Sequence, residues 1–249
     1  MLYTNVKILA LTILTCSLLQ GCASIYKPKN DPIKNVDMNS GYHIIATQRR
    51  DPGEHRIALS FSGGGTRAAA LSYGILQELR DTQIDSADSR IRVLDDVDTI
   101  SSVSGGSFTA AYYGLFGDKI FDDYESVFLR QSVQGTLIRQ LLNPLYWWRS
   151  AFTGFDRTEM AVEYYDQAIF KGKTFADIRI DKGPFIEINA TDLSSGTRFS
   201  FTQGMFDVIC SDLSTFSVAR AVTASSAVPV AFPPIVLQNH AGECGFDVT

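Results

Sequence analysis

The chain has 249 residues, with 22 Lys and Arg against 27 Asp and Glu, a formal charge of −5 with neutral histidine. At 45% hydrophobic and 20% charged residues it is too apolar for a disordered chain, and it lacks the basic balance of a nucleic-acid binder. Three histidines leave little for a His-rich metal centre, and no His/Cys/Asp cluster has ligand spacing, so no metal and no other cofactor is expected.

Residues 1–26 read MLYTNVKILALTILTCSLLQGCASIY. Lys7 precedes an apolar stretch, 8–19, that is too short to span a bilayer but matches the hydrophobic region of a secretion signal. Leu19-Gln20-Gly21-Cys22 resembles a bacterial lipobox, which implies cleavage after Gly21 and a lipid on Cys22; the alternatives are an ordinary signal or a buried helix. Ala23 after the cysteine, by the same resemblance, directs the protein to the outer membrane of the bacterial envelope, facing the periplasm. The expected division is a signal peptide over 1–21, a lipidated N-terminus and tether over 22–54, and one globular domain over 55–249. The tether assignment rests on the polar, Pro-containing composition of 26–54; His43 and His55, which precede the first core strand, are expected on the surface. With Cys16 removed and Cys22 lipidated, Cys210 and Cys244 remain; a disulfide and two free buried thiols both fit.

Residues 56–62, RIALSFS, read as a buried strand, followed by Gly63-Gly64-Gly65-Thr66-Arg67 and a helix with Ala68, Leu71, Ile75 and Leu79 on one face. A glycine run between a strand end and a helix start exposes backbone N–H groups to an anion. Gly63, Gly65 and Ala68 also satisfy the spacing of a dinucleotide fingerprint, with Asp81 or Asp85 placed for a ribose; a Walker loop does not fit. A glycine turn that only packs the helix is the structural alternative, and an oxyanion hole the chemical one.

The pattern repeats at 95–107. DDVDTISS reads as a strand, Val103-Ser104-Gly105-Gly106-Ser107 as a sharp turn, and the following FTAAYYGLFG as a helix. A nucleophile elbow needs small residues two before and two after the nucleophile. Gly106 meets this and Ser102 departs from glycine but stays small; Ser101, Ser102 and Ser107 are rival serines without the spacing. Serine attack on an ester builds a negative oxygen that fixed N–H donors stabilise, so a second turn carrying free amides beside Ser104 makes chemical sense.

Downstream, 121–141 reads as helical and Pro144 breaks it within an aromatic cluster of Tyr146, Trp147, Trp148, Phe152 and Phe155. Those rings suit an acyl channel, a lipid interface or a helical core equally. Arg149 and Arg157 are candidates for phosphate head groups or plain solvated charges. Asp156 is placed to cap a helix over 156–170; 185–190 and 198–202 form a hairpin, and a small-residue helix over 217–227 ends at Pro229.

SFSGGGTRAAALSYG (60–74), ISSVSGGSFTAAYY (100–113), ATDLSSGTRFSF (190–201) and VARAVTASSAVPVAFPPI (218–235) occur in the order seen in the patatin-like phospholipase family, which the chain resembles over about 56–235. The resemblance implies an α/β class, three-layer α/β/α fold with a mostly parallel central sheet and a helical insertion. It further implies hydrolysis of lipid acyl esters, with membrane lipids or phospholipids as substrates, by a Ser–Asp dyad. Ser104 is then the nucleophile, Gly63, Gly64 and Gly65 the oxyanion hole, and Arg67, Gly106 and Asp192 supporting residues. The family aspartate lies in an Asp-Gly-Gly or Asp-Gly-Ala segment that this sequence does not contain, so it is expected beyond Thr249; Asp247 is followed by Val248 and is not assigned. The competing readings are a Ser104–Asp192–His240 triad in α/β-hydrolase order, a dinucleotide site at Gly63 and Gly65, and a non-catalytic envelope lipoprotein.

Overall fold

The computed structural model describes residues 29–44, 55–85, 90–153, 155–228 and 232–245. Its strands in chain order are β1 (Asp31–Pro32), β2 (Ile57–Phe61), β3 (Gln83–Asp85), β4 (Arg90–Arg92), β5 (Val97–Val103), β6 (Phe185–Thr191), β7 (Arg198–Phe201) and β8 (Ser211–Asp212). Its main helices are α1 (Gly65–Asp81), α2 (Gly105–Phe116), α3 (Ile120–Tyr124), α4 (Val133–Leu141), α5 (Pro144–Thr153), α6 (Arg157–Tyr165), α7 (Gln203–Val208) and α8 (Val218–Ser226).

The central sheet runs β2-β5-β6-β7, with β2, β5 and β6 parallel and β7 antiparallel as the expected hairpin partner of β6. Helices cover both faces, giving a three-layer α/β/α fold with helical insertions. Parallel strands must be joined by crossovers, and each crossover here begins with a glycine turn into a helix, at Gly63–Gly65 and at Ser104–Gly106.

The second of those helices, α2, is the centre of the core. Every residue from Gly105 to Leu115 is buried, which suits a helix that is apolar all round. It lies so close to β6 that a Cβ on Gly114 would stand 2.5 Å from Ile186 Cγ1. The face α1 turns toward it is not the one expected. Ala69, Ser72, Tyr73 and Leu76 are buried, whereas Leu71 and Ile75 are exposed. The Ala69 carbonyl accepts the Thr109 hydroxyl of α2 at 2.9 Å, and this bond selects a stripe one residue, or about 100°, around the helix. The strand β2 is likewise only partly buried, because it forms an edge of the described sheet.

Residues 29–44 do not behave as a free tether. β7 pairs with β6 only from Ile188 onward, and the Tyr42 hydroxyl takes over beyond it: it accepts the Ile186 N–H at 2.9 Å and donates to the Ile186 carbonyl at 3.1 Å. Its ring stacks on Phe185, and burial pushes its phenol well above the ordinary value. His43, expected on the surface, is buried with Nε2 3.4 Å from Asp207 Oδ2, because its segment follows Tyr42 into the core; His55 is half exposed and contacts Asp96. β1 pairs with β8, and Asn30 donates to Ser211 Oγ and to the Gln238 carbonyl. Cys210 and Cys244 are joined by a disulfide that ties this region to the chain around His240, whose N–H donates to the Ile209 carbonyl.

At the start of α8, Arg220 is buried and makes a two-pronged ion pair with Glu159 of α6, at 2.6 and 2.7 Å. Burial opposes ionisation of Glu159, yet hydrogen bonds from Arg220, with help from Lys29, hold its pKa below 4.5.

Glu159→Ala is expected to lower the unfolding free energy by about 3–5 kcal/mol at neutral pH, read from urea unfolding, because it removes the two-pronged carboxylate partner of a buried guanidinium. The depressed carboxylate contributes fully above its unfolded pKa near 4.5 and loses its contribution as pH falls through the lower folded value, so the difference between variant and wild type shrinks in acid. The Cys210→Ser, Cys244→Ser variant is expected to lose up to about 4 kcal/mol on the loop-closure model for a 34-residue separation, measured the same way.

Candidate active site

Ser104 is held between β5 and α2 with φ of +53°, a region that non-glycine residues rarely enter and that costs about 1–3 kcal/mol. The small residues around it have visible reasons. A Cβ on Gly106 would approach the Phe61 Cβ to 2.7 Å, and one on Gly105 would collide with the Gly65 carbonyl. Ser102, where the motif prefers glycine, is buried and donates its hydroxyl to the Glu187 carbonyl at 3.0 Å, so a side chain fits because β6 accepts it.

The glycine turn arrives at the same spot. A Cβ on Gly63 would lie 3.2 Å from Ser104 Cβ and 3.8 Å from its Oγ, so this Cα faces the serine directly. Gly64 and Gly65 have φ of +140° and +63° and open α1. The first N–H groups of a helix have no acceptor within it, and α1 and α2 both begin here, so two positive helix ends meet beside one hydroxyl. Arg67 is exposed in the first turn of α1.

A third element was not legible beforehand. The backbone N–H of Ser104 donates to Ser225 Oγ at 2.8 Å, and Ser225 donates to the Asn189 carbonyl at 2.6 Å. With its one hydrogen committed there, Ser225 must accept from Ser107 Oγ, 3.0 Å away. Asn189 in turn donates to Ser101 Oγ and to the Ser102 carbonyl, and accepts from Ser200. A serine near the end of a helix carries no sequence signal for such a role.

Among the described residues no carboxylate or imidazole is hydrogen-bonded to Ser104 Oγ. Asp192 follows β6 at the same sheet edge but folds its own hairpin: it accepts the Ser195 and Ser194 hydroxyls, each at 2.7 Å, and the Ser194 N–H at 2.9 Å. Those donors, Ser195 foremost, hold its pKa below the usual value, the opposite of what a base poised near neutral pH needs. His240 is buried with Nδ1 3.4 Å from Glu243, and its Nε2 meets neither Ser104 nor Asp192. The three members of the alternative triad are therefore not assembled. The dinucleotide reading fares no better: the Gly63 turn is occupied by the elbow, Asp81 is paired with Arg80 and Asp85 with Arg90. No group of three or more His, Cys, Asp or Glu among the described residues is arranged to hold a metal ion. Cys22 and Asp247 lie outside the described residues.

The aromatic cluster divides. Tyr146 is buried beside Phe155, whereas Trp147 and Trp148 are exposed. Arg149 stacks over Phe155 at 3.8 Å and pairs with Glu163, so it is not a free phosphate ligand. A cleft of about 430 Å³ lies instead by the Arg220–Glu159 pair, lined also by Lys29, Asp166 and Ser217, toward the end of α8 opposite Ser225.

The model of the patatin-like phospholipase family matches residues 59–244, spanning both glycine turns, the Asn189 strand and α8. The chain belongs to that family. Comparison with curated proteins finds no match. Among solved structures, the heterodimeric ExoU–SpcU complex from the type III secretion system of Pseudomonas aeruginosa contains a similar chain, at 17% identity and a TM-score of 0.33. The alignment covers 92% of this chain and 48% of that one, so the patatin-like chain spans about half its length.

Two glycine-to-alanine changes separate the close approach in this patatin-like site from ordinary helix effects. Gly105→Ala is expected to destabilise the protein by several kcal/mol, beyond the typical range of about 0.5–3, because the Gly65 backbone occupies the space. Gly74→Ala, in the open middle of α1, is expected to stabilise it by about 0.5–1 kcal/mol. Urea unfolding midpoints of the two variants, moving in opposite directions, are the check.

Proposed function

We propose that this chain hydrolyses lipid acyl esters, with Ser104 as nucleophile and the amides of the Gly63–Gly65 turn as oxyanion hole. Family membership supports a serine-hydrolase, lipid-esterase activity in general. The observation that carries the finer reading is the seating of a strained serine, φ +53°, directly against a glycine turn at two helix N-termini. In the proposed reaction Ser104 Oγ attacks the ester carbonyl and gives its proton to a general base. The carbonyl oxygen takes the negative charge toward the turn amides, and collapse expels the alcohol. Water then releases the fatty acid and frees the serine. Each fixed donor to that oxygen is worth about 3 kcal/mol of barrier.

The base in this scheme is an aspartate outside the described residues, as the family resemblance implies, with Asp192 and Gly106 shaping the site rather than moving the proton. Ser225 is a positioning residue, since it fixes the Ser104 backbone. Exposed Val103 beside the nucleophile and Leu193 beside Asp192 give this edge an apolar character compatible with acyl chains. The proposal also includes cleavage after Gly21, a lipid on Cys22 and residence at the outer membrane facing the periplasm. No described helix is long and apolar enough to cross a membrane.

A fluorophosphonate probe is expected to label Ser104, with the modified peptide identified by mass spectrometry. Ser104→Ala is expected to abolish both labelling and ester turnover, while His240→Ala keeps them; turnover by Ser104→Ala at the wild-type rate overturns the assignment.

A further inference from the structure

The helical insertion carries a surface that the site does not use. Ile138 and Leu142, one turn apart at the end of α4, are 59% and 77% exposed. Leu145, Trp147 and Trp148 of α5 are each about 60% exposed. They form one tip, because the Trp147 indole N–H donates to the Leu141 carbonyl at 3.0 Å and lays α5 against the end of α4. Trp147 and Trp148 are the only two tryptophans of the whole chain. An apolar patch of this kind on a folded surface marks an interaction site.

Charge selects the partner. No Asp or Glu occurs anywhere from 126 to 155, in a chain that holds 27 of them, while Arg130, Arg139 and Arg149 fall inside that stretch. Arg130 and Arg149 are neutralised by Glu125 and Glu163, which lie just outside it. Arg139, exposed on α4 between Ile138 and the tip, has no acidic partner among the described residues. An amphipathic stretch that combines tryptophan, leucine and arginine and carries no acidic residue of its own matches the boundary of an anionic bilayer, where indole rings sit at head-group depth and arginine meets phosphate.

We propose that the α4–α5 tip docks this domain peripherally on an anionic phospholipid surface, with Leu142, Leu145, Trp147 and Trp148 inserted and Arg139 against phosphate. The inference rests on the lipid-hydrolase reading for its purpose, presenting the domain to substrate, but its test is independent of catalysis.

The full chain carrying Cys22→Ser, so that no lipid anchor contributes, is mixed with phosphatidylcholine vesicles with and without phosphatidylglycerol. Expected are co-sedimentation with the anionic vesicles and a blue shift of tryptophan emission, which reports on this tip alone. Leu142→Ser with Trp148→Ser is expected to weaken binding at least tenfold, and Arg139→Glu several-fold with loss of the phosphatidylglycerol preference. Fluorophosphonate labelling of both variants is expected to stay at the wild-type rate, which shows that they fold and separates this inference from the Ser104 assignment. Vesicle binding unchanged in the double variant overturns the proposal. So does a concentration-dependent dimer in sedimentation velocity that the double variant abolishes, with no vesicle binding by the parent chain: the tip is then an interface between copies.

Discussion

Everything in this site depends on two backbone turns touching where no side chain can intervene. The Cα of Gly105 rests on the carbonyl of Gly65, and the Cα of Gly63 faces Ser104. Because β2 and β5 are parallel neighbours, their following helices start side by side, and the glycines decide how close those starts come. One methyl group at 105 would force the turns apart and carry the amides away from the hydroxyl they are placed to serve. Close packing is thus the source of the electrostatics: helix ends act strongly on a charge only within about one turn.

The helix α8 holds this arrangement from behind. Its first turn is pinned by the buried Arg220–Glu159 pair, and its last turn carries Ser225, the acceptor for the nucleophile's own N–H. The small residues between, all buried from Val218 to Thr223, let it lie close to β6 and α2. Strain at Ser104 persists because the turn is held by three elements at once: the Phe61 backbone under Gly106, the Gly65 carbonyl under Gly105 and the Ser225 hydroxyl. A buried polar network of this sort is stabilising only when fully satisfied, and here each hydroxyl of the Ser225–Asn189–Ser200 chain has a partner.

The insertion obeys different rules from the rest of the molecule. Around the sheet, aromatic rings are buried against one another, as in the Phe108, Phe128 and Tyr165 group. At the α4–α5 tip, apolar side chains are exposed, and the stretch 126–155 holds no acidic residue of its own. Core stability explains the first set; the exposure of the second is what the proposed docking on an anionic bilayer uses.

The sequence by itself determined the strand–turn–helix units at both glycine turns, Ser104 at the elbow, the β6–β7 hairpin, the Asp156 cap and the family, since these depend on local patterns: period, small residues at fixed offsets, capping side chains. It missed the short strands β1, β3, β4 and β8 and read 121–141 as one helix. It placed the wrong stripe of α1 inward, Leu71 and Ile75 in place of Tyr73 and Leu76, because two apolar stripes were available and only packing against α2 and its neighbours, with the Thr109–Ala69 bond, chooses between them. It misread residues 29–44 as tether, because polar composition cannot show that Tyr42 replaces a missing strand partner at Ile186. It divided the aromatics around Pro144 no further, since burial depends on neighbours from α6 that are distant in sequence. Ser225 was invisible for the same reason: its partner lies 121 residues away, and only the folded chain brings the two together.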